Sequence, residues 1–517
     1  MNIVPTPMVA CPRPGYFPVS SDSPVTASDH ALHTSRQIFR NRLADWVDRP
    51  ASRSRPRGGA VHLLLTGALA ELDGVPAPRG IRAAHGDAHG EAYVLTIDDD
   101  SATIRSTTVE GVHRGLTTLL QLAATSTAPG YVPCGTVVDS PRFAWRGLSV
   151  DVARILLGVD DLEKIIDLAD LYKLNTLHLH LTDDAGWRLP VTGRPALTAG
   201  GPSYTRSDYE RVIAYAAERF ITVVPEVDMP GHSAAAIAAY PELGIPASNR
   251  FAAGTLDTHS DATWLFVEDV IRSLSELTPG RFIHVGGDEA FGLTSSEHAA
   301  FVERAARLIR AAGKEVVGWQ EAARAQLPSG SVIQHWIEHD KLRGLVPTAD
   351  AVHTGLEDRG IPIDLVHRIL DESSGDLPAA RQQNAWILLS PASVAYLDRR
   401  YAEPSSDPTQ DADRARLGHP LYPPTLVRDS LEWEPDLVSD EIDPERITGI
   451  EAAVWGETTD SPDDVGLLLL PRLPLVATQG WSRSRLPWDE AMQRLPAHAP
   501  IWEAMSLSWF ASAEIPW

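Results

Sequence analysis

The feature that most constrains this chain is a rhythm that begins after Pro141: short apolar runs alternate with amphipathic helical stretches. The runs are 145–152, 176–182, 221–227, 282–286, 316–319, 332–336, 386–389 and 450–455. Helical spacing fills most of the intervals, as at 160–172, 207–219, 262–276 and 295–312. A strand buried on both faces reads as a continuous apolar run, and eight such runs alternating with helices predict a (β/α)8 TIM barrel. The connection 338–384 is long, and structureless loops of that length are rare, so it is expected to hold helices or an insertion. Ahead of the barrel, 61–66, 92–97 and 103–107 read as strands, and 32–47 and 111–124 as helices. These predict a small α+β domain over residues 1–140, with the barrel over 141–517.

The residues at the end of each run point to function. The first run contains Arg146 and Asp151, the second ends in Thr182-Asp183-Asp184, and the third in Glu226-Val227-Asp228. The fourth ends in Gly286-Gly287-Asp288-Glu289, the fifth in Trp319-Gln320-Glu321 and the sixth in Trp336. Tyr396 and Asp398 come soon after the seventh, and Trp455-Gly456-Glu457 closes the eighth. In a barrel these ends converge on one mouth, where active sites sit. Solvated loops alone explain a polar strand end or two, not eight in register that are rich in carboxylate and tryptophan.

Composition narrows the partners. Forty-five basic against 69 acidic residues give a net charge of −24, which repels nucleic acid and anionic membranes. Hydrophobic residues at 43% and charged residues at 22% are those of a globular chain. Two cysteines, Cys11 and Cys134, exclude a disulfide scaffold and a multi-cysteine zinc site, and two free thiols are expected. The N-terminus has no basic start and no apolar run of signal length, and the apolar stretch 465–477 is broken by Pro471, Arg472 and Pro474. The expectation is a soluble, cytoplasmic protein.

Carboxylates supply general acids, bases and nucleophiles, and tryptophans supply faces for sugar rings. No Gly-rich phosphate loop precedes a helix, so a carbohydrate-active hydrolase is indicated. Asp288 and Glu289 are adjacent. Along a regular strand such neighbours point to opposite faces, and both serve one site only where the pleat relaxes, which Gly286 and Gly287 make cheap. Adjacent acids are poorly placed to flank a glycosidic bond from opposite sides. They suit a substrate-assisted reaction, in which the sugar's 2-acetamido oxygen attacks C1, one carboxylate orients the acetamido N–H and the next handles the proton.

The blocks FAWRGLSVDVAR (from Phe143), NTLHLHLTDDAGWRL (from Asn175), VVPEVDMPGHSAA (from Val223), FIHVGGDEAF (from Phe282), VVGWQE (from Val316), LLSPASVAYLD (from Leu388) and GIEAAVWGET (from Gly449) occur in the order seen in family 20 glycoside hydrolases, the β-N-acetylhexosaminidases, and the chain resembles that family over most of 141–460. TTVEGVHRGLTTLLQL (from Thr107) is similar to the end of the family's small N-terminal domain. The resemblance implies an exo-acting, retaining enzyme for β-linked N-acetylglucosamine, with N-acetylgalactosamine left open, needing no metal or organic cofactor. It implies Asp288 as the acetamido-orienting carboxylate and Glu289 as the acid/base. Arg146 is expected to hold sugar hydroxyls through its forked guanidinium. Trp319, Trp336 and Trp455 are expected to wall the acetamido pocket, Tyr396 to donate to the acetamido oxygen, and Asp398 and Glu457 to bind hydroxyls near C4 and C6. His232, backed by Asp183, is expected to support Glu289. Glu289 is expected to be protonated at neutral pH, lifted by nearby negative charge and tryptophan walls, and Asp288 to stay ionised. In the first block Ile155 stands where the family often has His. Trp433 reads equally as a rim platform or as packing.

Two other readings stay open on the residues. His178 and His180 share one strand face near Asp183, as in metal-dependent amidohydrolases, although the later strand ends offer Trp and Glu rather than histidines. A silent sugar-binding protein on the same scaffold is the second, but such a binder has no need of a protonated acid.

Overall fold

The computed structural model describes residues 1–48, 58–85, 88–246, 252–339, 341, 363–420 and 422–517. Its first unit is a six-stranded sheet in the order β1-β6-β4-β5-β3-β2. The strands are β1 (Val9–Pro18), β2 (Val25–Ala27), β3 (Ala60–Leu65), β4 (Tyr93–Ile97), β5 (Ser101–Ser106) and β6 (Tyr131–Asp139). The sheet is mixed, with β2, β3 and β5 parallel and the rest antiparallel. Helix Val109–Ala124 packs on it, its apolar positions recurring at helical spacing and Thr108 capping its start.

The second unit is a closed barrel of eight parallel strands: β7 (Trp145–Asp151), β8 (Thr176–His180), β11 (Thr222–Glu226), β12 (Phe282–His284), β13 (Glu315–Trp319), β14 (Val332–His335), β15 (Trp386–Leu389) and β16 (Ile447–Val454). A two-residue hairpin, β9 (Thr182–Asp183) with β10 (Gly186–Trp187), follows β8. Each barrel strand overlaps its sequence-predicted run. Nearly every strand residue is buried, as layers of interior side chains on one face and a helical coat on the other require. Polar signals set the helix starts: Thr205 with Asp208, and Thr294 with Glu297, form capping boxes at helices Arg206–Ala217 and Ser295–Ala311. Helices Ile363–Ser373 and Asp376–Gln382 occupy part of the long connection; residues 340 and 342–362 of it lie outside the described residues.

The two units meet over a buried ionic layer. Arg114 donates to Glu91 and Asp170 at 3.0 Å each, and Arg42 donates to Asp167 at 2.7 Å. Arg146 joins this layer, bonded to Glu91, to the Phe143 carbonyl (2.7 Å) and to the Lys173 carbonyl (3.0 Å). No described helix is long and apolar enough to cross a membrane.

Three strands of the first sheet escape the sequence pattern, β1, β2 and β6, and β2 is only three residues long. β1 carries Pro12 and Pro14, which read as loop; it is the sheet's edge, where missing N–H groups are tolerated, and it bulges between Pro12 and Tyr16. β6 holds Pro133 beyond the end of its pairing with β4, so the proline lies against β1 alone.

Candidate active site

The carboxyl ends of the barrel strands bring the predicted acids together. After β12 the backbone leaves the pleat: Gly286, Gly287 and Glu289 all have positive φ, at 70°, 96° and 43°. A non-glycine residue in that region is strained and needs its surroundings to hold it. The Gly287 N–H donates to Asp228 Oδ1 (2.9 Å), and His298 Nε2 meets the Gly287 carbonyl (2.7 Å). Contacts to both the N–H and the carbonyl of Gly287 thus clamp the residue before Asp288 and set the direction of its side chain. Gly286 is obligatory for a second reason, since a Cβ there would lie 1.8 Å from Asp228 Oδ1.

His232 stands among the acids. Its Nδ1 is 3.4 Å from Asp183 Oδ2, and its Nε2 is 3.4 Å from Glu289 Oε2 and 3.7 Å from Asp288 Oδ2. Arg154 braces the group, with Nη1 2.7 Å from Asp151, Nη2 2.8 Å from Asp183 and Nε 3.6 Å from Glu457. The aromatic wall is continuous: Trp336 stacks on Tyr396 with centroids 6.3 Å apart, and Trp455 lies 5.8 Å from Tyr396 and 5.6 Å from Trp319. Trp336 Nε1 donates to Glu321 (3.1 Å). Asp398 is buried, and neither of its carboxylate oxygens has a partner meeting hydrogen-bond geometry, while Glu457 beside it is a third exposed.

The charges do not follow the expected order. Burial and the neighbouring Asp228 hold the Asp288 carboxyl well above the aspartate range, against the opposing charge of His232. Burial lifts Asp228 itself to about 7. Two acids in hydrogen-bond contact cannot both ionise cheaply, so this pair retains a proton. Burial also pushes Glu289 up, but the hydrogen bond and charge of His232 outweigh it and the carboxyl lies below the usual glutamate range. Burial depresses His232, yet Asp183, Glu289 and Asp288 outweigh that and keep it cationic. The expectation of a protonated Glu289 beside an ionised Asp288 is therefore reversed. The reason is His232, which salt-bridges Glu289, while Asp288 faces another acid.

Arg146 requires a correction. It is the second residue of β7, at the amino end, about 16 Å along the strand from Asp151. It is fully buried and committed to Glu91, so it does not reach sugar at the mouth. Arg154, in the turn after β7, is the guanidinium that stands there. The signal was available, since strands face the site with their carboxyl ends. Asp228 and Glu321 are further mouth residues to which the sequence assigned no role, as are Asp151, which holds Arg154, and Asp184 beside His232. Trp433 is packing: it is partly buried against the core, and its carbonyl accepts from Gln479 in helix Leu473–Trp481. His178 and His180 do not form an open metal centre. Ligand atoms of His178, Glu226 and His284 lie within 4.8 Å of one another, but all three side chains are enclosed in the barrel interior, with no side open to substrate.

Comparison with known proteins agrees with this geometry. Residues 143–299 and 366–484 match the family described as glycosyl hydrolase family 20, catalytic domain, and residues 1–140 match glycosyl hydrolase family 20, domain 2. A beta-N-acetylhexosaminidase of Cellulomonas fimi is 36% identical over 90% of this chain and 91% of its own length. A mutant Streptomyces plicatus beta-hexosaminidase in complex with its product GlcNAc superposes with a TM-score of 0.79 at 30% identity, over 100% of this chain and 97% of that one. The GH20 beta-N-acetylhexosaminidase of Streptomyces coelicolor A3(2) gives 0.79 at 31%, over 100% and 98%. With the mouth carboxylates, the aromatic wall and these relatives in agreement, the chain belongs to glycosyl hydrolase family 20 and is a glycoside hydrolase.

Proposed function

We propose that this chain is an exo-acting, retaining β-N-acetylhexosaminidase whose nucleophile is the acetamido oxygen of its own substrate. The observation that carries the reading is the placement of Asp288 and Glu289 on one relaxed strand end, both within reach of His232 Nε2 and beside a wall of Trp319, Trp336, Tyr396 and Trp455. Adjacent acids do not flank C1 from opposite faces, so neither serves as nucleophile while the other serves as acid.

In the first step the acetamido oxygen bonds to C1 and the C1–O bond to the leaving group breaks. The Glu289 proton passes to the departing oxygen. Asp288 accepts a hydrogen bond from the acetamido N–H and faces the positive charge that spreads over the oxazolinium ring. In the second step water adds to C1 as Glu289 takes its proton, and the ring oxygen departs with net retention. Tyr396 donates to the acetamido oxygen, and Arg154, Asp398 and Glu457 take the hydroxyls at the far side of the sugar. We assign the chemistry to residues 141–517 and give residues 1–140 no catalytic part.

The charge order among Asp228, Asp288, His232 and Glu289 supplies the loading step. An acetamido N–H arriving at Asp288 favours its anion, and a leaving group covering Glu289 favours its acid. The proton held by the Asp228–Asp288 pair then moves to Glu289 through His232, whose Nε2 lies 3.7 Å from one acid and 3.4 Å from the other. Following the anomer first released from an aryl β-N-acetylglucosaminide by proton NMR tests the reading. The β anomer is expected from the wild type, with a loss of several orders of magnitude in kcat for Asp288→Ala. First release of the α anomer would overturn retention, and full activity of the variant would overturn the substrate-assisted step.

A further inference from the structure

Beneath the pocket floor lies a polar assembly that the proposed reaction does not use. Glu226, the last residue of β11, is fully buried. Its Oε1 accepts from Trp319 Nε1 at 2.7 Å, and its Oε2 lies 2.6 Å from His180 Nδ1 on β8. His178 Nε2 comes within 3.0 Å of Oε2, and His178 Nδ1 pairs with Glu451 of β16 at 2.8 Å. His284 Nδ1, 3.3 Å from Oε1, is already taken by the Gly286 N–H at 3.0 Å. His180 Nε2 continues outward to Asp183 Oδ2 (3.1 Å), the oxygen that faces Arg154 and His232.

This is an expensive way to fill a barrel. Barrel interiors are ordinarily packed with branched apolar side chains, and a buried carboxylate costs several kcal/mol of desolvation that pairing barely offsets. Closing the barrel does not require it. What the charges achieve is a link: one carboxylate holds both the indole that walls the pocket and the first member of a hydrogen-bonded series that ends on Glu289.

Resting on the proposed glycosidase function, we infer that Glu226 is a positioning residue, fixing Trp319 through one oxygen and, through His180 and Asp183, fixing His232 against Glu289 through the other. Three consequences separate this from a merely structural role. Glu226→Leu leaves the Trp319 and His180 donors without acceptors, and kcat/KM falls about 100-fold with KM raised. Glu226→Gln keeps the contacts, because its carbonyl accepts from Trp319 and the two N–H groups of its amide donate to a neutral His180 that still donates to Asp183 and to a neutral His178 that still donates to Glu451. It restores kcat/KM to within about 10-fold of wild type. It also removes the charge of Glu226 and of the two imidazoles that Glu226 holds cationic against their burial, His180 and His178, and His180 is one hydrogen bond nearer to His232 than Glu226 is. His232 then sees Asp183, Asp184, Asp228, Asp288 and Glu289 less compensated, with Arg154 the remaining cation, and the basic limb of kcat moves up by about half a pH unit or more.

The test is kcat and KM against pH for the full chain on an aryl β-N-acetylglucosaminide, with both variants and with Glu226→Gln placed on Asp183→Asn. The upward limb shift in Glu226→Gln and its absence on Asp183→Asn support the link. Wild-type kcat/KM in Glu226→Leu, an unmoved limb in Glu226→Gln, or a shift that persists without Asp183 overturns it. If Glu226→Leu does not fold, the Gln limb decides alone, and failure of Glu226→Gln to fold would place Glu226 in the fold rather than the site. Wild-type turnover is the separate control on the function itself.

Discussion

Arg154 and Arg146 lie eight residues apart, near opposite ends of one strand, and replacing each by methionine separates site from scaffold. Arg154 makes charge-assisted bonds at 2.7 Å to Asp151 and 2.8 Å to Asp183, both nearly fully buried, and stands over Trp455. Removing one side of such a group costs about 3–5 kcal/mol, because the partner charges stay buried. Here the stranded charges line the sugar pocket and back His232, so most of that loss is expected in the transition state. At about 3 kcal/mol, Arg154→Met lowers kcat/KM roughly 100-fold. Arg146 is as thoroughly paired, with Glu91 and two carbonyls, but beneath the barrel. Arg146→Met costs a similar 3–5 kcal/mol in stability, lowering Tm by about 5 °C or more, while the folded fraction keeps its kcat/KM. Steady-state kinetics on an aryl β-N-acetylglucosaminide, beside calorimetry of the same preparations, reads both effects. A raised KM with unchanged Tm in Arg146→Met, or unaltered kcat/KM in Arg154→Met, would refute this assignment.

Two further outcomes follow from the geometry. Gly286→Ala places a Cβ 1.8 Å from Asp228 Oδ1 at a φ of 70°, so Asp228 and the Gly287 peptide must shift. A displacement near 1 Å costs about 100-fold in kcat, to be checked in protein whose circular dichroism is unchanged. Stability is expected to fall on the alkaline side. Burial pushes His178 down, but Glu226 and Glu451 outweigh it and lift the imidazole to about 9. A folded pKa above the unfolded one gives stability that is complete below about pH 6.5 and lost as pH rises through 9, here about 3 kcal/mol. Tm should therefore drop between pH 6.5 and 9.5, and a flat or rising Tm would contradict the charged interior.

The barrel was legible because its strands are buried on both faces, so each wrote itself as an apolar run, and the acids at the run ends located the mouth. Asp288 and Glu289 stand where Gly286 and Gly287 implied a departure from the pleat. Arg146 shares a block with Asp151 and Arg154 but sits at the amino end of its strand, so residue type alone puts it on the wrong side of the barrel. β1 and β6 were hidden by prolines that only an edge position, or the end of a pairing, excuses. The protonation order was not legible. It depends on which acid faces His232 and which faces Asp228, contacts between residues about 60 positions apart that no local pattern records.

In the proposed mechanism the substrate's acetamido group performs the attack. Hydrolysis of an aryl β-N-acetylglucosaminide beside the matching aryl β-glucoside, with Glu289→Gln as control, decides whether it does. Substrate assistance predicts turnover of the acetamido sugar, at least 1000-fold slower or no turnover of the glucoside (about 4 kcal/mol of lost nucleophilic assistance), and collapse of the rate in the variant. Comparable rates on the two sugars would show that attack at C1 does not need the acetamido group, and the substrate-assisted mechanism would be wrong.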